Sequence, residues 1–250
     1  MAYIGPSVTL ESLVLAPGHS LLHQAYRPKF QRHGVVNADG FGCGWYVPDV
    51  RPEPAVYRRD KPIWSDRSFA SIAGTVRSGA ILAAVRDATT GSPVEESSTA
   101  PFSEAGWLFA HNGRFKGFDG PEGVALRRML SDRRMASVIG TSDSEVMFGL
   151  ILDRIDQGSS PQAALRWCVG TCMELSSGAF NFLLTDGGSV YATACGDSLF
   201  VLENGNLVPD GVVVASEPFD DDSAWEPVPE LSVVQGSGGR ISITPLEEVL

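Results

Sequence analysis

Three short stretches hold residues whose types could do chemistry: a guanidinium, a pair of hydrogen-bond donors and a carboxylate. In AAVRDATTG, residues 83–91, an apolar run delivers Arg86 to its end and a Thr/Gly loop follows, with Thr89 in that loop. A guanidinium there can fork onto a carboxylate through two parallel hydrogen bonds, a geometry that Lys does not reproduce. In LFAHNGRF, residues 108–115, an apolar run leads straight into His111-Asn112-Gly113. The Asn112 amide and the Gly113 N–H are two donors that can converge on one oxygen, the arrangement that stabilises a tetrahedral oxyanion. In GTSDSE, residues 140–145, Asp143 stands at a helix start, where a carboxylate can receive an ammonium. Each stretch also has a plainer reading: an Arg closing a surface strand, an Asn-Gly hairpin turn, and a helix cap.

HGVVNADGFGCGWY, residues 33–46, crowds Gly34, Gly40, Gly42 and Gly44 around Asn37 and Asp39. No Lys-Ser/Thr follows, so a phosphate loop is excluded, and a bulge or turn ahead of the strand Trp45-Tyr46-Val47 is expected. Cys168 and Cys172 lie four apart on a predicted helix without Cys or His partners at zinc spacing, and they read as core, as does Cys195. His19, His23 and His33 are too scattered for a triad or a metal site. His111 reads as a support for the Asn-Gly pair.

The elements that must position these residues are mostly short β-runs: 80–85, 107–110, 180–185, 189–194, 199–202 and 212–215. Asp186-Gly187-Gly188 and Asn204-Gly205-Asn206 predict hairpin connections between them. Two helices are clear, one following Thr141-Ser142-Asp143 and running to about 155, the other following Ser160-Pro161 and running to about 175. Strands, then helices, then strands predict an α+β fold with antiparallel sheets. The stretches 91–103 and 219–222 read as surface loops.

Nineteen Lys and Arg against thirty Asp and Glu give a net charge of −11, which repels a phosphate backbone, so nucleic acid is not an expected partner. No apolar run is long enough for a membrane span, and residues 1–22 lack the basic start of a secretory signal. With four unpaired-looking cysteines, a cytoplasmic protein is expected.

Taken in order, Arg86, then His111-Asn112-Gly113, then Ser142-Asp143-Ser144-Glu145 resemble the class II glutamine amidotransferase domain, an N-terminal-nucleophile hydrolase fold. Within it the chain is most similar to the γ-glutamyl amidohydrolases of actinobacterial ergothioneine biosynthesis. RDKPIWSDRSFASIA, TSDSEVMFGLILDRI, FNFLLTDG, ACGDSLFVL and VVVASEPFDDDSAW support this, and together the matching stretches span nearly the whole chain. The resemblance implies a single domain over residues 1–250, folded as a four-layer αββα sandwich. It implies a pocket in which Arg86 binds the glutamyl α-carboxylate, with Thr89 nearby, and Asp143 binds the α-ammonium. Asn112 and Gly113 would form the oxyanion hole. The implied substrate is small: γ-glutamyl-hercynylcysteine S-oxide, cleaved to glutamate and hercynylcysteine S-oxide, with no cofactor and no metal. Its trimethylammonium group would suit an aromatic face, for which Trp64, Phe69, Phe115 and Phe118 are candidates.

The chain departs from the family's pattern at the nucleophile. That nucleophile is a cysteine at the amino terminus, in Met-Cys-Arg-His-Leu, whereas Met1 here stands in the place of that Leu and Ala2-Tyr3-Ile4-Gly5 follows. Three explanations stay open: a coding start placed four codons late, a γ-glutamyl-binding protein without catalysis, or substitution by Cys43. A glutaminase subunit delivering ammonia to a separate synthase is a further alternative.

Overall fold

The computed structural model describes residues 1–32, 34–88 and 93–248. Among the described residues, thirteen strands and seven α-helices follow in chain order: β1 (Ala2–Thr9), α1 (Leu10–Val14), α2 (Leu21–Tyr26), β2 (Phe41–Val47), β3 (Arg51–Arg59), α3 (Arg67–Ala73), β4 (Arg77–Val85), β5 (Phe102–Glu104), β6 (Trp107–Phe115), α4 (Pro121–Arg127), α5 (Asp132–Ser137), α6 (Asp143–Asp156), α7 (Pro161–Leu175), β7 (Gly178–Thr185), β8 (Val190–Ala194), β9 (Phe200–Glu203), β10 (Val212–Ala215), β11 (Glu226–Pro227), β12 (Ser232–Ser237) and β13 (Arg240–Pro245). They form two antiparallel sheets, ordered β11-β9-β10-β1-β4-β2-β3 and β13-β12-β8-β7-β6-β5.

Strand alternation builds the four layers. On β1, Ala2 and Ile4 face the second sheet while Tyr3, with Met1 just ahead of the strand, faces α1, α2 and α3. On β6, Leu108 and Ala110 face the first sheet while Phe109 and Phe115 pack beneath α4, α6 and α7. One apolar core therefore lies between the sheets and one beneath each helical layer, giving the expected αββα order. In the core under α6, Phe109 and Phe148 stack at 5.1 Å with rings 3° apart. Burying each such ring contributes about 1.5–3 kcal/mol.

Both expected helices form. Ser142 caps α6 by accepting the Ser144 N–H, and Ser160 caps α7 by accepting the Ala163 N–H, with Pro161 in the first turn. The Asp186-Gly187-Gly188 turn joins β7 to β8, with Thr185 opposite Val190. β9 and β10 pair with Glu203 opposite Val212, so the connection begun at Asn204-Gly205-Asn206 extends to Gly211.

The glycine-rich stretch is corrected. The strand begins at Phe41, not Trp45, so Gly42, Cys43 and Gly44 are ladder residues, with an irregularity only between Trp45 and Val47. The glycines serve close approach: a Cβ on Gly42 would stand 2.3 Å from the Ala100 carbonyl oxygen, and one on Gly44 would stand 2.7 Å from Leu108. The surface-loop reading of 91–103 holds only in part, because Ser98 and Thr99 are buried and Phe102 opens β5. Within 219–222, Phe219 is buried against Trp225.

Candidate functional site

Arg86 continues β4 by one residue. Its N–H donates to Gly40 O at 2.8 Å, and its carbonyl accepts from Asp39 N at 3.0 Å. Ala80 and Leu82 of β4 face the second sheet, so alternation turns Arg86 to the same side. Nη2 donates to Pro93 O at 3.1 Å, while Nη1 is buried with no acceptor among the described residues. Burial draws the guanidinium below its ordinary pKa, and the charges of Asp39, Glu95 and Asp143 oppose that shift. A buried donor left unmade is costly, so this nitrogen is primed for an anionic ligand.

His111-Asn112-Gly113 is not a hairpin turn. β6 runs through it, with Asn112 opposite Asn181 and Gly113 opposite Phe180. Alternation sends Asn112, like Leu108 and Ala110, into the gap between the sheets. There it is exposed, and its amide donates to Ser216 Oγ at 3.3 Å across that gap. Gly113 has φ +140°, and a Cβ would sit 2.0 Å from the Ala179 carbonyl oxygen. Gly113→Ala should therefore cost about 2–4 kcal/mol of stability, measured by urea denaturation; a wild-type midpoint would contradict that reading.

Asp143 sits in the first turn of α6 and is not its cap, which is Ser142. Its Oδ2 accepts the Phe115 N–H at 2.8 Å, tying the helix to the end of β6, and its Oδ1 accepts the Ser144 N–H at 2.7 Å. A carboxylate fits there because the helix N-terminus is electropositive. His111 faces the helical layer between Phe180 and Phe182, within reach of Ser144 Oγ at 3.0 Å and Ala179 O at 2.8 Å.

The structure thus brings Arg86, Asn112, Gly113 and Asp143 to one end of the sandwich. Thr89 and His33 lie outside the described residues. Sequence reasoning assigned no role to Ser144, Ser216 or Glu217. Glu217 is buried and accepts from His19 Nε2 and from the N–H groups of Lys29 and Phe30, each at 2.8 Å. It anchors the segment that leads to Asp39, whose Oδ2 accepts the Ala88 N–H at 2.8 Å. The one available signal was a Ser-Glu pair closing the wholly apolar run 212–215.

The four thiols are buried. Burial pushes Cys43 up to about 12 and Cys195 up to about 11, while a hydrogen bond with Cys172 and burial hold Cys168 well above its ordinary value. Cys43 faces the core under α1, α2 and α3, so it does not replace the family's nucleophile. The Met1 amine is buried too, donating to Ala83 O at 2.7 Å, while Ala83 N donates to Met1 O at 2.9 Å. Of the four aromatic candidates, Phe69 and Phe115 are core residues and the Phe118 ring already carries Arg127 at 3.9 Å. Trp64 is exposed and meets the edge of Tyr26 at 5.8 Å.

Among the described residues, no group of three or more His, Cys, Asp or Glu could hold a metal ion, and no helix is long and apolar enough to cross a membrane. The fold is that of an amidotransferase domain: residues 24–206 match the family model for class II glutamine amidotransferases, and the chain belongs to that family. Its curated relatives include the gamma-glutamyl-hercynylcysteine sulfoxide hydrolase of Mycolicibacterium smegmatis, 39% identical over 98% of each chain. Another is the protein of that name from Mycobacterium tuberculosis, 36% identical over 99% of this chain and 96% of its own. Among solved structures, a class II glutamine aminotransferase domain protein of Silicibacter pomeroyi superposes with a TM-score of 0.67 at 22% identity, over 98% of this chain and 97% of its own. That likeness speaks to fold alone.

Proposed function

We propose that this chain forms the pocket of a γ-glutamyl amidohydrolase whose substrate is γ-glutamyl-hercynylcysteine S-oxide, the compound named in its curated relatives. The observation that carries the reading is the buried Nη1 of Arg86, without an acceptor among the described residues and within electrostatic reach of Asp143. One cation and one anion at fixed separation suit a free α-carboxylate and α-ammonium. Held by that end, the substrate presents its γ-carbonyl to the Asn112 amide and the Gly113 N–H.

A thiolate supplied at the amino terminus, as in the family, attacks the γ-carbon, and the carbonyl electron pair moves to the oxygen facing those donors. Collapse expels the amine of hercynylcysteine S-oxide, which takes up a proton and leaves a thioester. Water then hydrolyses the thioester to glutamate and regenerates the thiol. Of the aromatic candidates, exposed Trp64 beside Tyr26 is the one left to meet the trimethylammonium end.

Titration calorimetry with L-glutamate tests the pocket without needing turnover. Arg86→Ala should weaken binding by about tenfold or more, because a charge-assisted bond to a buried donor is lost. Wild-type affinity in that variant would remove Arg86 from the pocket.

A further inference from the structure

The reaction as set out leaves His111 without a part, yet both of its ring nitrogens are engaged. Nε2 lies 2.8 Å from Ala179 O and Nδ1 lies 3.0 Å from Ser144 Oγ. A carbonyl oxygen only accepts, so Nε2 carries a proton, and in the neutral ring Nδ1 is then a lone-pair acceptor. Ser144 therefore gives its one hydroxyl proton to His111.

That hydroxyl has a competing acceptor: Oδ1 of Asp143 lies 3.1 Å from the same Oγ. Oδ1 already takes the Ser144 N–H at 2.7 Å, with Ser142 Oγ at a longer 3.4 Å. A carboxylate oxygen offers about two lone-pair sites, so a second strong donor from Ser144 would occupy the site that a ligand needs. We propose that His111 is a positioning residue for the substrate's α-ammonium: by taking the Ser144 proton, it keeps Oδ1 of Asp143 open to the incoming N–H donors. The proposal rests on the reading of Asp143 as the ammonium acceptor. It also gives β6 two tasks on opposite faces, with Asn112 directed between the sheets and His111 directed at the helix that carries Asp143.

The test is calorimetry on the full chain with two probes, L-glutamate and glutarate, the second having both carboxylates but no ammonium. Wild type should prefer L-glutamate. His111→Phe frees the Ser144 hydroxyl to turn onto Asp143 and should lose about tenfold in affinity for L-glutamate, with glutarate binding unchanged. His111→Gln, whose amide can donate to Ala179 O and accept from Ser144, should bind both probes as wild type does. The double variant His111→Phe/Ser144→Ala has no hydroxyl to misdirect and should regain most of the lost affinity.

Equal losses for both probes, or no recovery in the double variant, would overturn the proposal in favour of a purely structural His111. A wild-type preference for L-glutamate that survives His111→Phe would overturn it while leaving Asp143 in its role. Absence of any preference in wild type, with Asp143→Asn equally indifferent, would remove the Asp143 reading and this proposal with it.

Discussion

A chain in which Met1→Leu is preceded by Met-Cys-Arg-His, with the new initiator removed, is expected to release glutamate from γ-glutamyl-hercynylcysteine S-oxide, whereas the chain beginning at Met1 is not. The reason lies in the ladder between β1 and β4. Ala2 stands opposite Leu82, and Met1 exchanges both backbone bonds with Ala83, so residues fused ahead of Met1 would continue opposite Ala84, Val85 and Arg86. The third of them is the cysteine. Alternation gives it the face of Ala2, between the sheets, which is also the face of Arg86 and Asn112. Restoring a thiol and its own α-amine at that point should raise turnover by about 10⁴-fold or more over the Met1 chain, and replacing the new cysteine by Ala should abolish the gain. Mass spectrometry of released glutamate reads the outcome. An extended chain that binds L-glutamate and yet releases none from the conjugate would refute the placement.

The same extension should change how stability depends on pH. In the chain beginning at Met1, burial holds the amine down at about 5, against 8.0 in the unfolded chain. Between those values the unfolded amine carries a proton that the folded one lacks. The unfolded state therefore binds more protons, and stability rises with pH across that window. Read downwards, about 4 kcal/mol is lost in all as pH falls from above 8 to below 5, a large share of the 5–15 kcal/mol typical of a domain. In the extended chain a peptide N–H replaces the ammonium at this position, so this contribution disappears. Urea denaturation of both chains at intervals across the window would measure the difference, and parallel pH profiles would count against it.

Much of the frame was legible because local chemistry agreed with it. Ser142 and Ser160-Pro161 announce α6 and α7 by satisfying exposed amides, and the apolar runs of β4, β7 and β10 are short and sharply bounded. What was misread depends on tertiary distance. Gly42 and Gly44 look like turn residues until Ala100 and Leu108 are seen pressing on them, and Asn112-Gly113 looks like a hairpin until β7 is laid beside it. Helices α1 to α5 have five to seven residues each, too few for a helical period to show. At the site, residue types suggested the chemistry of Arg86, Asn112 and Asp143, but the order of the motifs was needed to join them. Ser144 and Ser216 stayed hidden because their partners lie 33 and 104 positions away.

Glu217 gives this cleft a shared hinge pin. The residue before it receives the Asn112 amide, and its own carboxylate holds the backbone of Lys29 and Phe30, from which the chain runs on to the Asp39 clamp on Ala88. Two neighbouring residues thus fasten both the segment that leads from Lys29 to Asp39 and the strand end that bears Asn112, so on the proposed reading the glutamyl-binding and oxyanion-binding sides of the pocket share one anchor.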